Sequence, residues 1–444
     1  MLIVATALAI AAASYGWTLL GGREPAAPPA APGPQVDAPA LEIEPLQPLG
    51  EIDRAIDTWT ANLERDDADF VAASQLAELY LARARLTADP ADLNRAFDAS
   101  VRALDVDPNL TAAQLLQAQV RLAQHDFDGS RADAQAILAA HPDLPQALAT
   151  LGDAQLELGA YEAAAETYDR LAGTASGPAV LARQARLASI AGDLAGARTM
   201  ATDALAAARA TADTKPTELA WYHTLSASLA FQAGDVAAAG AAYSTALESW
   251  PGSSAALAGL ARVQAAEGAT DEAIELYQRS VALVPNLDAL AALGDLLAGA
   301  GRVDEANAAF AQVRAVAAVG AARGLADRQW ALYLANHGED PALAVEVAAA
   351  DLDRRTDVYA HDAYAWALYA AGRLADADAA MQDARARGTE DTLLDYHAGM
   401  IAAALGRDDE ASLLLEAALD RNPAFDPVHA PRAAATLAAL EANR

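Results

Sequence analysis

The chain repeats itself with a period near 34 residues, and no other feature limits its possible folds as strongly. Pro108 and Pro142 are 34 apart, as are Pro251 and Pro285, and the 109 residues from Pro142 to Pro251 hold three such periods and seven residues more. Glycines form a second comb at Gly159, Gly192, Gly234, Gly268, Gly301, Gly372 and Gly406. Five residues after each stands an alanine: Ala164, Ala197, Ala239, Ala273, Ala306, Ala377 and Ala411. Four further on the residue is usually large, as at Tyr168, Tyr243, Tyr277, Phe310, Met381 and Leu415. A glycine in such a place ends a helix with a left-handed cap. The alanine lets a second helix lie close on the first, the large residue fills the groove between helix pairs, and the proline ends the pair. Alanine dominates a composition that is only 5% aromatic, and alanine is the strongest helix former.

A period of 34 with this layout resembles the tetratricopeptide repeat, a helix–turn–helix unit. One clear copy reads Leu257, Leu260, Ala261, Gly268, Ala273, Tyr277 and Pro285; another reads Leu148, Leu151, Gly152, Gly159, Tyr161, Ala164 and Tyr168. The resemblance implies an all-α fold, a right-handed superhelical solenoid of about ten repeats between residues 51 and 423, with a capping helix from about Pro431 to Ala442. In the last third, residues 357–369, Gly372-Arg373, Gly388-Thr389, residues 396–400 and Asn422-Pro423 resemble a family of exported bacterial tetratricopeptide repeat proteins without assigned catalysis. That resemblance implies an export signal, a Pro-rich spacer and an extracytoplasmic body.

Two segments precede the repeats. Leu2 to Leu20 carries no charge, and about 20 apolar residues are what a bilayer-spanning helix needs. Residues 1–22 are therefore expected to be a membrane anchor or a signal segment. Residues 23–50 are Pro/Ala-rich, with eight prolines between Pro25 and Pro48; such chain forms a semi-rigid spacer. The solenoid then occupies 51–444. No basic residue precedes the apolar stretch and Arg23 follows it, which by the positive-inside rule favours a cytoplasmic body. The family resemblance points the other way. The expectation is a single-pass membrane protein with an extracytoplasmic body, or a secreted or periplasmic one if the segment is cleaved.

Composition removes several kinds of chemistry. With 30 basic and 61 acidic residues the net charge is −31, and such a chain repels the phosphate backbone of nucleic acid. The absence of cysteine excludes disulfides, Cys-type zinc sites and a thiol nucleophile. Seven histidines form no i, i+4 pair and no HExxH. Asp126, Asp128 and Asp133 around Gly129 look like a fragment of a calcium loop, but the third acid before the glycine and the closing glutamate are missing. Gly299-Ala-Gly301 has no third glycine at dinucleotide-loop spacing, and no GxSxG or Walker motif occurs. Charge runs such as 64–67 and 407–410 read as solvated helix starts. No cofactor, metal or catalytic residue is expected.

What remains is a surface. Stacked helix pairs present a concave face lined by first helices, and such faces bind peptides or proteins. In the register set by Gly372, the groove-facing residues are Tyr359, Asp362, Trp366 and Tyr369, followed in the next repeat by Tyr396 and Met400. Aromatics and Met are enriched among binding anchors, although Trp366 and Tyr369 could equally serve as core. The basic clamp used by chaperone-binding members of the repeat family needs Lys, Arg and Asn; Arg186 and Arg262 are its isolated matches. The expected function is a non-catalytic scaffold for a neutral or basic protein partner. The alternative is a small-molecule or metal-ion handling module using Asp362 with His361 and His397. Weak coupling between alanine-rich neighbours further predicts gradual or multi-step unfolding.

Overall fold

The computed structural model describes residues 47–322 and 328–442. Among these residues the regular elements are 22 α-helices. A single helix, α1 (Gln47–Leu63), leads. Ten helical hairpins follow. The first five are α2/α3 (Phe70–Thr87, Pro90–Val106), α4/α5 (Thr111–Ala123, Phe127–Ala140), α6/α7 (Pro145–Glu157, Tyr161–Thr174), α8/α9 (Pro178–Ile190, Leu194–Ala210) and α10/α11 (Pro216–Gln232, Val236–Ser249). The next three are α12/α13 (Ser254–Ala266, Thr270–Leu283), α14/α15 (Leu287–Gly299, Val303–Ala322) and α16/α17 (Arg328–His337, Pro341–Leu352). The last two are α18/α19 (Val358–Ala370, Leu374–Arg385) and α20/α21 (Thr392–Ala404, Asp408–Arg421), and a lone α22 (His429–Ala442) trails. This is the all-α repeat solenoid expected from the period. The first hairpin begins at Phe70, because α1 stands ahead of it as a single helix. The expected membrane segment lies outside the described residues, as does the linker up to residue 46. No described helix is long and apolar enough to cross a membrane.

Each hairpin turns through one residue with a left-handed backbone. These are the seven comb glycines together with Ala88, His125 and Gly338, at φ between 53° and 85°. Gly338 falls off the comb because its turn is one residue longer: Asp340 caps α17, whereas Asp193 and Asp235 directly follow their glycines. Asp126, Asp193 and Asp235 each accept a hydrogen bond from the backbone N–H three residues on, which satisfies one of the orphan donors that open a helix. The calcium-like acids are thereby accounted for. Asp126 caps α5 and pairs with Arg121, Asp133 also meets Arg121, and Asp128 meets Arg131. The seven inserted residues add little loop: α9 and α10 have 17 residues each, where α8 and α12 have 13.

The comb alanines are all buried. On the facing side, Tyr168, Tyr243 and Phe310 lie over Gly152, Gly259 and Gly294, where an added Cβ would come within 2.2–2.3 Å of the ring. Small and large residues are thus matched pair by pair, which is how a close-packed interface forms without voids.

The chain divides into two compact units. The N-terminal unit runs to Gln155 and includes Glu166–Ala175. Its core joins Ile56 and Trp59 of α1 to Leu76, Tyr80 and Leu81 of α2 and Val120 of α4. Arg83 reaches Asp92 through two N–H groups at 2.7 Å, and Arg95 meets the same carboxylate. Burial alone would raise the Asp92 carboxyl; Arg83 and Arg95 hold it below the usual range.

The C-terminal unit comprises Leu156–Ala165 and the chain from Ser176 onward. It closes on itself along a seam of three rungs. Leu158 O accepts from the Thr356 N–H at 3.4 Å and the Thr356 hydroxyl at 3.2 Å, while the Val358 N–H donates to Tyr161 Oη at 2.9 Å. Ile190 O accepts from the Thr389 hydroxyl at 2.5 Å. Phe231 O accepts from Asn422 Nδ2 at 2.9 Å. Each accepting carbonyl sits at the C-terminal end of a first helix (α6, α8 or α10), where the last turn leaves its carbonyls without intrahelical partners. The donors lie at the start of α18 (Thr356 and Val358), just before α20 (Thr389) and at the C-terminal cap of α21 (Asn422). At the first two rungs the C-terminal ends of α6 and α8 therefore face the N-terminal ends of α18 and α20, a negative dipole end toward a positive one, whereas at the third the end of α10 faces the C-terminal cap of α21. Eleven helices separate the two sides of every rung: α7 to α17, α9 to α19, α11 to α21.

Candidate functional site

The first helices of the last repeats carry aromatic and histidine side chains that touch from one repeat to the next. In α18, Asp362, Trp366 and Tyr369 follow helical spacing, so they share one face. The Trp366 ring stacks on Tyr369 at 4.6 Å and on His397 of α20 at 4.1 Å, and its indole N–H donates to Asn336 Oδ1 of α16 at 2.7 Å. His397 Nδ1 is 2.8 Å from Asp362 Oδ1. Tyr396 lies 5.1 Å from the His429 ring of α22 and 5.7 Å from Phe425. The column continues to α14. His337 directs Nδ1 at the Tyr333 carbonyl and Nε2 at Asp295, both at 2.9 Å. With an oxygen at each nitrogen the imidazole satisfies both only as the cation. Burial alone would lower its pKa, but Asp295 and the Tyr333 carbonyl raise it.

The six residues expected to line a groove are thus brought together, but mostly beneath the surface. Asp362, Trp366, Tyr396 and Met400 are buried, Trp366 to 1% exposure, and Tyr359 and Tyr369 are half-buried. Burial comes first among the causes that push the Tyr359 phenol well above its ordinary pKa, followed by the charges of Asp391 and Asp357 and the Tyr161 phenol, against Arg186. His361 and His397 meet different carboxylates: His361 has Asp383 as an acidic neighbour at 4.0 Å, while His397 takes Asp362. Among the described residues no group of three or more His, Asp or Glu side chains could hold a metal. Arg186 pairs with Glu157, and Arg262 lies 5.4 Å over the Phe231 ring.

A second constellation escaped the reading of the sequence. Arg328, at the start of α16, grips Asp357 with two N–H donors at 2.8 and 2.9 Å, and its Nε is 3.5 Å from Asp351. Arg355 donates to Asp351 at 3.0 Å and reaches Glu157 at 3.5 Å. All five residues are buried. Burial alone would raise the Asp357 carboxyl; Arg328 and Arg355 lower it. Residues 351–357 look in the sequence like an ordinary charged linker, and Glu157, 198 residues from Arg355, carries no local cue.

A family model described as tetratricopeptide repeat matches residues 115–179 and 224–288. Each match spans nearly two hairpins, α4 to α7 and α10 to α13. The chain carries tetratricopeptide repeats. Among solved structures, these repeats are similar to a tetratricopeptide repeat protein from Parabacteroides merdae ATCC 43184, at 15% identity and TM-score 0.39, covering 54% of this chain and 93% of that one. Yeast Tom70 matches at 14% identity and TM-score 0.36, over 89% and 93% of the two chains. PilW, a widely conserved type IV pilus biogenesis factor, matches at 17% and 0.40, over 47% and 93%. No curated protein matches.

Proposed function

We propose that this tetratricopeptide repeat chain is a non-catalytic scaffold that binds a neutral or basic protein partner, held at a membrane or exported. The observation that carries the reading is the succession of first helices α16, α18 and α20 and the trailing α22, whose aromatic and histidine side chains make contact from one to the next. Repeats of this kind present extended faces to partners, and a net charge of −31 favours a partner of opposite or no charge. Tyr359 and Tyr369, both half-buried, are the parts of that succession through which a partner would be met. Trp366, Asp362, Tyr396 and Met400 act beneath them by fixing their positions.

A photo-crosslinking residue at Tyr369, compared with one at the exposed Leu413 on the second helix α21, tests the reading. A partner captured from position 369 and not from 413, and released by moderate salt, is the expected result; equal capture from both positions would refute first-helix recognition. For the membrane part, a C-terminal alkaline phosphatase fusion that is active in the membrane fraction supports the outward-facing body. A fluorescent, phosphatase-inactive fusion places the body in the cytoplasm.

A further inference from the structure

The seam of the C-terminal unit is joined differently from the apolar interfaces between neighbouring repeats of that unit. Neighbouring repeats share apolar cores: Ala182, Ala201, Tyr222 and Leu229 in one cluster, Ile274, Tyr277, Leu293 and Leu297 in another, Leu290, Tyr333, Leu334 and Ala367 in a third. None of these clusters reaches across the seam. Hydrogen bonds and ion pairs join its two sides. Beyond the three rungs, Gln232 Nε2 donates to Glu390 O at 2.9 Å, and Arg355 of the buried network reaches Glu157 at 3.5 Å. Arg387 pairs with Glu162 at 2.6 Å and lies 4.8 Å over the Tyr161 ring.

This difference decides which interface yields first. Pulling two repeats apart exposes apolar surface, which water penalises in proportion to area. Parting the seam exposes carbonyls, hydroxyls and amides that water can satisfy at once, so each hydrogen bond contributes only its modest net worth. Parting also returns the buried Arg355 and Glu157 charges to water, which offsets the loss of their attraction. The exposed Arg387–Glu162 pair adds little. The backbones nonetheless approach closely. A Cβ at Gly159, Gly192 or Gly234 would lie 2.5, 2.4 or 1.9 Å from the carbonyl oxygen of Thr356, Gly388 or Arg421. At Gly268, Gly301, Gly372 and Gly406, away from the seam, it would meet nothing within 4 Å.

We propose that the seam is a reversible clasp, which parts while the repeats stay folded and so governs access to the first helices whose ends it joins. The opening itself requires no partner; only its use as a gate rests on the scaffold reading, so the two fail separately.

The test places spin labels at Ala195→Cys and Glu390→Cys in the full chain, which has no other cysteine. Both side chains are exposed on opposite sides of the second rung, and neither supplies a rung hydrogen bond through its side chain. Pulsed dipolar spectroscopy is expected to show a dominant short distance and a minor longer one. Combining Thr389→Val with Asn422→Ala, which removes the side-chain donors of two rungs, should raise the longer population several-fold while the far-UV circular dichroism stays unchanged. A single short distance that persists in the double variant, and under denaturant until helicity is lost, would overturn the proposal. So would a loss of helicity that accompanies every increase in distance.

Discussion

Gly234 and Gly268 adopt nearly the same left-handed backbone, at φ 77° and 81°, yet they answer different demands. Gly268 needs only to turn the chain, so Gly268→Ala should lower stability by about 1 kcal/mol, the usual penalty for an L-residue in that region. Gly234 also admits the Arg421 carbonyl, so Gly234→Ala should lose clearly more in the same urea titration. Trp366→Ala should lose about 3–5 kcal/mol, as for other buried large-to-small changes. His223 is buried and takes an N–H from Arg209 at Nε2, 3.0 Å away; burial first, and Arg209 second, lower its pKa to about 4. The folded state thus binds fewer protons than the unfolded one between pH 6.5 and 4. The contribution of neutral His223 is complete above pH 6.5 and drains away as the pH falls to about 4. His223→Gln should flatten that part of the stability profile, measured by urea midpoints at pH 7 and pH 5. His337 has the opposite sign: its pKa is raised, so its contribution is present in acid and fades as the pH rises. At this scale the sequence was most legible where residue type dictates backbone, as at the seven comb glycines. It was silent on which three of them also serve a close approach, because the approaching carbonyls lie nearly two hundred residues away.

Helices and turns were legible to the extent that their causes are local. The 34-residue spacing, the comb glycines and the alanines that follow them sufficed to count about ten hairpins and a trailing helix. Ala88 and His125 were missed as turn residues because they are not glycines, and Gly338 because Glu339 lengthens its turn; Glu339 takes the Tyr333 hydroxyl at 2.8 Å. The six residues expected to face a groove lie on α18 and α20, and four of them are buried. A 34-residue period specifies which helix a side chain belongs to, whereas its depth depends on how sharply successive first helices converge. The buried network at α16 shows the same division. Replacing one member leaves an uncompensated buried charge, so Asp357→Ala should lose about 3–5 kcal/mol. Replacing Arg328 and Asp357 together by apolar residues should lose much less, and a double-mutant cycle of denaturation midpoints checks both.

The C-terminal unit is the scale at which local reasoning ends. Nearest-neighbour coupling alone predicts gradual or multi-step unfolding, and the seam adds a first step of its own. The distance between positions 195 and 390 should therefore lengthen at lower urea than the far-UV signal falls, and calorimetry should show more than one transition. Coincident curves with matching van't Hoff and calorimetric enthalpies would contradict this.

An open array of repeats tolerates gain or loss of a unit, since each copy needs only its two neighbours. Here the rungs join residues 198, 199 and 191 apart, always across the same eleven helices. Duplicating or deleting one hairpin among α11 to α17 would throw all three rungs out of phase together, although every neighbour contact could still form. For this unit the number of repeats is therefore a fixed dimension, like the circumference of a ring, and length variation has room only outside the arc that the rungs span.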